Sequence, residues 1–379
     1  MVVIFALLHV IVDIIASQTM PVWPELGRQL SLRGPGIHWV IVLWLLTTSL
    51  MQVVFGYLSD RIRMKYLIWF APLVAAAALS LVGLTNSVFV ACLLIAVGGT
   101  ATAAFHPEAV SMCGASMPTH RSRAISVFVM GGFLGQMAGP AYSGWIVHSW
   151  GIGGLSVGLV WALPGILVLR AFARRTADTP SQSIPTTPDA TPSHHAPWLL
   201  LSSILSIQTL RTVSATGVPL TLAFLLDEQG SNTFQIGKFQ SVFNGGIGFG
   251  GLVCAFLFKQ RHEHSVLVWM PILGAVPLGM LAISTGWAMT AALAISALTV
   301  GIAMPIMISY GQQLVPTAER LASSMVMGAS WGIGGCFATV LVGSMRHWTH
   351  PEYVYLVLAF CSALSGVLSL FLPKVSKET

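Results

Sequence analysis

Charge is what this 379-residue chain has least of. Only 8% of its residues are Asp, Glu, Lys or Arg, 18 basic and 12 acidic, against roughly 25% in a soluble domain. With 55% hydrophobic residues and a mean hydropathy of +0.80, that scarcity excludes a fold whose surface faces water. Cysteine is sparse too. Cys92, Cys113, Cys254, Cys336 and Cys361 all fall within or at the ends of apolar runs and share no metal-like spacing, so they read as small buried hydrophobes. No P-loop is present, which excludes a built-in ATPase motor and leaves an ion gradient or the substrate's own gradient as the energy source. No soluble segment interleaves aromatic with basic residues, so the net charge of +6 does not call for nucleic acid. Neither a cofactor, nor a metal, nor enzymatic activity is expected.

What is abundant is the long apolar run. Stretches of about 20 residues, enough to cross a bilayer core of roughly 30 Å, recur around 2–24, 37–58, 66–85, 88–114, 123–147, 154–172, 198–222, 235–258, 265–284, 288–314, 321–344 and 353–372. A signal peptide would supply one short run, not twelve. The expectation is an all-α polytopic protein with twelve transmembrane helices. Residues 173–197 break the series: Arg174, Arg175 and the prolines at 180, 185, 188, 192 and 197 sit among Ser and Thr. Such a segment cannot bury a core and reads as a linker. It divides the chain into 1–172 and 198–379, six spans each.

Basic residues set the orientation. With the N-terminus cytoplasmic, the inner loops hold Arg61, Arg63, Lys65, Arg121, Arg123, Arg170, Arg174, Arg175, Lys259, Arg261, Arg320, Lys374 and Lys377. The outer loops hold only Arg28, Arg33, Lys238 and Arg346. Both termini are then cytoplasmic, in a multi-pass protein of a bacterial inner membrane.

The halves also repeat. Arg123, Met130, Gly131 and Gly135 recur as Arg320, Met327, Gly328 and Gly332, each 197 positions on (123 to 320, 135 to 332). Duplicated helical units fused in one membrane chain are the architecture of a carrier whose halves rock about a central site.

After span two stands Gly56-Tyr57-Leu58-Ser59-Asp60-Arg61-Ile62-Arg63-Met64-Lys65. It resembles the G-x-x-x-D-R-x-G-R-K signature of the major facilitator superfamily, with Arg63 in place of the second glycine. The resemblance implies the major facilitator fold, two pseudo-symmetric six-helix bundles. It also implies a conformational latch built from Gly56, Asp60, Arg61, Arg63 and Lys65. The loop at 251–261 lacks the aspartate. Within that superfamily, Phe105-His106-Pro107-Glu108, His9-x-x-x-Asp13 and Tyr310-Gly311-Gln312-Gln313-Leu314-Val315-Pro316 resemble segments of the fosmidomycin-resistance type of antibiotic exporters. Arg211 falls where that group has a basic residue. Two departures are Gln313, where the group has glutamate, and span one, which begins without a basic leader. Gly131, Gly132, Gly135, Gly139 and Pro140 partly match the superfamily's G-x-x-x-G-P antiporter motif, with a trailing Gly144 one position late. Small-residue packing and hinging against span eight or the other half would produce the same pattern.

Ionisable groups inside spans cost at least about 2.5–3.5 kcal/mol on insertion scales and mark function by default. Asp13 lies about eleven residues into its span, roughly 16 Å deep. Arg211 lies at similar depth, and the offset of 197 sets Asp13 against Leu210 beside it. His9 and Asp13, four apart, share a helix face. His9, Asp13, His106 and Glu108 are therefore the candidates for proton coupling. Pro107 kinks their neighbourhood, and Glu108 is equally able to latch to the basic loop at Arg121 and Arg123. Arg211, Gln208, Gln240, Asn244, Tyr310 and Gln312 are candidates for binding a small-molecule substrate.

The reading is a proton-coupled antiporter. It works in the lipid bilayer as a monomer and exports a small amphipathic or anionic compound, on the resemblance an antibiotic, by alternating access. A proton-coupled importer of a metabolite or metal chelate is the alternative. A membrane sensor or scaffold would not need Asp13, Glu108 and Arg211 together.

Overall fold

The computed structural model describes residues 1–59, 67–117, 121–163, 166, 198–258, 260–314, 325–345 and 350–373. The latch residues Asp60, Arg61, Arg63 and Lys65, the linker 173–197, and the side chains of Arg121, Arg123 and Gln312 lie outside the described residues.

Lipid offers no partner for backbone polar groups, so each crossing must satisfy its own as a helix. Among the described residues the apolar runs become α1 (Val2–Gln29), α2 (Gly36–Leu58), α3 (Ile68–Leu84), α4 (Val88–Ala115), α5 (Ala124–Trp150), α6 (Ile152–Trp161), α7 (Leu199–Glu228), α8 (Thr233–Leu257), α9 (Glu263–Met280), α10 (Gly286–Tyr310), α11 (Met325–Ser344) and α12 (Pro351–Phe371). Ten are long and apolar enough to cross a membrane, and α3 and α6 are shorter apolar helices. α6 winds as a 3-10 helix. The expected twelve are present, and no strand occurs among the described residues.

Within the first half α1 packs on α5 and α3 on α4; within the second α7 packs on α11 and α12, and α10 on α8 and α9. The halves meet along two seams, α5 against α8 and α2 against α11. At the first seam backbone meets backbone. A Cβ on Gly237 would strike the Pro140 carbonyl, and one on Gly144 the Thr233 carbonyl. At the second, each helix carries a π-turn, Leu46–Leu50 in α2 and Met325–Ala329 in α11, and the two turns touch. Such widened turns are rare and concentrate at functional places.

One end of the bundle is tied across the halves. Arg28, closing α1, binds both carboxylate oxygens of Asp227 near the end of α7 at 2.7 and 2.9 Å, and Glu25 at 2.6 Å. Gln29 donates to the carbonyls of Gly83 and Thr85 at the same end. Away from the seams large apolar side chains are exposed: Trp287, Phe256 and Phe371 are 89%, 85% and 81% exposed, a surface suited to lipid.

The repeated glycines divide their work unequally. Gly131, Gly135 and Gly139 pack on α1, inside their own half, against the carbonyls of Ala6, Val10 and Ile14. The expectation that this face meets α8 is corrected: α5 turns its opposite face, with Phe133, Met137 and Pro140, to α8. Gly328 and Gly332 instead meet Ser49, Val53 and Leu50 of α2, across the second seam.

Candidate functional site

Close approach of α5 to α1 is what assembles the first site. Cβ atoms on Gly132 and Gly135 would lie 2.5 Å from the His9 ring and 2.8 Å from the Asp13 Cβ, so only glycine allows those side chains to stand between the helices. Into this gap Asp13, 3% exposed, projects from α1. His9 Nε2 stands 3.5 Å from its Oδ2 and His106 Nε2, from α4, 3.3 Å from its Oδ1. Gln136 Nε2 of α5 donates to Oδ2 at 3.0 Å. Phe128 stacks on the His9 ring with centroids 4.1 Å apart, which gives that aromatic a packing role. No other titratable group is seen to contact Asp13 among the described residues.

The backbone fixes which nitrogen of each ring carries hydrogen. His9 Nδ1 lies 2.8 Å from the Phe128 carbonyl, and His106 Nδ1 2.7 Å from the Thr102 carbonyl. A carbonyl only accepts, so both Nδ1 atoms donate. Neutral rings would then turn two Nε2 lone pairs on a carboxylate, three electron-rich centres with nothing between them. Opposite charge or a shared hydrogen is needed to hold them together. The arrangement therefore calls for a proton or another cation among the two Nε2 atoms and Asp13.

The second half answers this site with different chemistry. Gly334 of α11 meets the Thr209 carbonyl at 2.8 Å and the Thr212 hydroxyl, as Gly135 of α5 meets the Val10 carbonyl and Asp13. Gly139 meets the Ile14 carbonyl and the Ser17 hydroxyl in the same way, so the close glycine contact recurs in both halves while the ionisable cluster does not.

Arg211, 8% exposed, does not face Asp13. Its Nη2 donates to the Leu267 carbonyl of α9 at 2.6 Å and to Ser369 Oγ of α12 at 2.9 Å, anchoring the side chain within the second half. Its Nε and Nη1 have no hydrogen-bond partner among the described residues. It lines a narrow cleft with Gln208, Thr212, Thr299, Trp331 and Ser362. The three hydroxyls there already donate to carbonyls, Thr212 to Ser330 at 2.7 Å, Thr299 to Ser296 at 2.7 Å and Ser362 to Pro271 at 2.9 Å. The guanidinium is the cation in the cleft with donors still uncommitted, and its neighbours there among the described residues are neutral. A buried charge so placed is costly until an anion meets it.

The remaining candidates sit elsewhere. Gln240 donates to the carbonyls of Pro219 and Met20 at 2.7 and 3.3 Å, and Asn244 to that of Gln136 at 2.9 Å. Gln240 thus fastens α8 to α1 of the other half and to α7 of its own, and Asn244 fastens it to α5 across the first seam. Tyr310 donates to the Pro373 carbonyl, so its hydroxyl ties α10 to the segment after α12. Glu108 is half-buried on α4, two residues beyond His106. Gln136 is the partner that sequence reading missed. Its signal was one polar side chain between Gly135 and Gly139, on the face that meets α1.

Twelve apolar helices in two six-helix bundles, with ionisable groups buried in each, define a polytopic membrane carrier. The chain belongs to the Major Facilitator Superfamily, whose sequence profile matches residues 5–339; it is a transporter and not an enzyme. It is 26% identical over 377 residues to the fosmidomycin resistance protein of Escherichia coli (strain K12), spanning 97% of this chain and 91% of that one. Its fold is similar to a bacterial homolog of the human lysosomal transporter Spinster in an inward-facing, unoccupied conformation, with a TM-score of 0.72, 16% identity, and 98% and 94% of the two chains covered. It is also similar to a variant of the nucleoside transporter NupG, with a TM-score of 0.71, 14% identity, and 98% and 100% covered.

Proposed function

We propose that the chain is a proton-coupled antiporter of a bacterial inner membrane, both termini cytoplasmic, exporting a small anionic or amphipathic compound. Residues 1–172 and 198–379 are the halves that rock, joined by 173–197, and a single chain suffices. The observation that carries this reading is the division of charge between the halves. The first gathers His9 and His106 on Asp13; the second sets Arg211 beside a cleft with its Nε and Nη1 unpartnered among the described residues.

The anion is held by Arg211 Nε and Nη1, with the Trp331 ring and the alkyl walls of the cleft taking its apolar part. Gln208 supplies a further polar contact. In the other half the proton shared by His9, Asp13 and His106 leaves when alternation hydrates the cluster, and Glu108 passes it along α4. Phosphonate antibiotics enter as a substrate class through the fosmidomycin resistance relative, and a compact, strongly anionic head suits a lone guanidinium.

The test is transport in proteoliposomes under an imposed pH gradient, with radiolabelled fosmidomycin as the anion and a pH-sensitive dye reporting protons. Antiport requires anion and proton to move in opposite directions. Movement in the same direction would replace it with the importer reading, and transport indifferent to the gradient would remove the proton altogether.

A further inference from the structure

We propose that His9, Asp13 and His106 form a binding site for one divalent first-row transition-metal ion of the Zn2+ class. Three features of the cluster point to it. Each imidazole gives its Nδ1 hydrogen to a backbone carbonyl, at 2.8 and 2.7 Å. This is the outer-shell arrangement that turns an Nε2 lone pair toward a metal and holds the ring in place. The carboxylate is itself braced from outside, by the Gln136 amide at 3.0 Å.

Spacing agrees with an ion. One ligand atom from each of the three residues lies within 4.8 Å of the others, and the carboxylate offers one oxygen to each ring, Oδ2 at 3.5 Å from His9 Nε2 and Oδ1 at 3.3 Å from His106 Nε2. Bonds of about 2.0–2.1 Å in a tetrahedral shell place ligand atoms about 3.3–3.4 Å apart. Drawing the two rings inward, from separations of at most 4.8 Å to about 3.4 Å, brings all three into one shell. The ligand set selects the metal. Two imidazoles and one carboxylate suit Zn2+, Co2+ or Fe2+ and disfavour Mg2+ and Ca2+, which prefer oxygen.

The ring of His106 is 21% exposed while Asp13 is 4% exposed, so the shell has one accessible side, where a fourth ligand such as water can stand. Because the ligands come from α1 and α4, a bound ion staples those helices and takes the place of the shared proton. The site uses the same residues as the proton route proposed above. Its test reads binding to the resting protein, so either reading can fail alone.

Tag-free protein in detergent is titrated with Co2+, following the visible d–d bands, and with Zn2+ against a chromophoric chelator. One tight ion per chain is expected, with affinity falling more than about a hundredfold in Asp13→Asn and in His106→Gln. The exposed His148→Gln should bind like wild type. Absence of tight binding in wild type, or equal binding by all four proteins, overturns the site. Should the cluster variants fail to elute as folded protein, X-ray absorption of Zn2+-loaded wild type decides: two imidazoles in the first shell support the site, and fewer overturn it.

Discussion

Arg28 grips both carboxylate oxygens of Asp227, 199 residues away in the other half, at 2.7 and 2.9 Å. The pair closes one end of the transporter. Opening that end must break it, so its strength enters the equilibrium between the two facing states. The arginine side chain is 55% exposed and the aspartate 17%, so the grip is worth about 0.2–1 kcal/mol, as exposed pairs are. Arg28→Gln should raise the population open at this end by about 1.4- to 5-fold. Spin labels placed across the two loops would report it, and Arg28→Asp with Asp227→Arg should restore the wild-type distribution. A distribution unmoved by Arg28→Gln would mean that the end is held by packing alone.

Asp13→Asn keeps the shape of the cluster but removes its charge. Exchange driven by a pH gradient should fall to background, while gradient-independent exchange of labelled for unlabelled anion should persist within about threefold, a change of under 1 kcal/mol. Loss of both activities together would assign Asp13 to folding instead of coupling.

Arg211→Gln should weaken binding of an anionic ligand at least about tenfold, a cost of 1.4 kcal/mol or more, and leave a neutral ligand of similar size unaffected. Arg211→Lys should fall between, since a point charge replaces a planar fork. Equal losses for charged and neutral ligands in a binding titration would mark Arg211 as structural.

Gly135→Ala places a methyl 2.5 Å from the Val10 carbonyl, and neither backbone can step aside. Overpacking of this kind costs about 1–3 kcal/mol, so the melting temperature should drop and gradient-driven exchange with it. At Gly279 the nearest atom to a new Cβ is 3.7 Å away, and Gly279→Ala should melt within about 0.5 kcal/mol of wild type.

Gln136→Leu removes the amide that braces Asp13. Hydrogen bonds to charged groups contribute about 1.5–3 kcal/mol, so exchange under the gradient should fall more than tenfold while the anion's Kd, set in the other half, stays unchanged. A matching loss in Kd would mean that the two sites are read as one.

The crossings were legible in the sequence because apolar length and polar breaks are local properties. So was the pairing of His9 with Asp13, which needs only helical spacing. That His106 completes the cluster was not, since nothing local says that α4 brings its imidazole to the far oxygen of the same carboxylate. The unequal use of the repeat was hidden as well: Gly135 packs on α1 of its own half, whereas Gly332 packs on Leu50 of the other. Arg211 was visible as a buried charge, but its direction depended on the Leu267 carbonyl and Ser369, supplied by helices more than 50 positions along the chain. Gln240 and Asn244 looked like cavity groups because polarity inside a span marks both substrate contacts and fasteners.

The seam between α5 and α8 rests on Gly144 against the Thr233 carbonyl and Gly237 against the Pro140 carbonyl. Side chains that clash can be exchanged for smaller ones, but a glycine pressed on a main-chain oxygen has no smaller substitute. A library built to redirect this carrier to a new cargo should therefore hold positions 144 and 237 constant. Diversity belongs at Gln208, Thr299 and Trp331, where the cleft wall is made of replaceable parts.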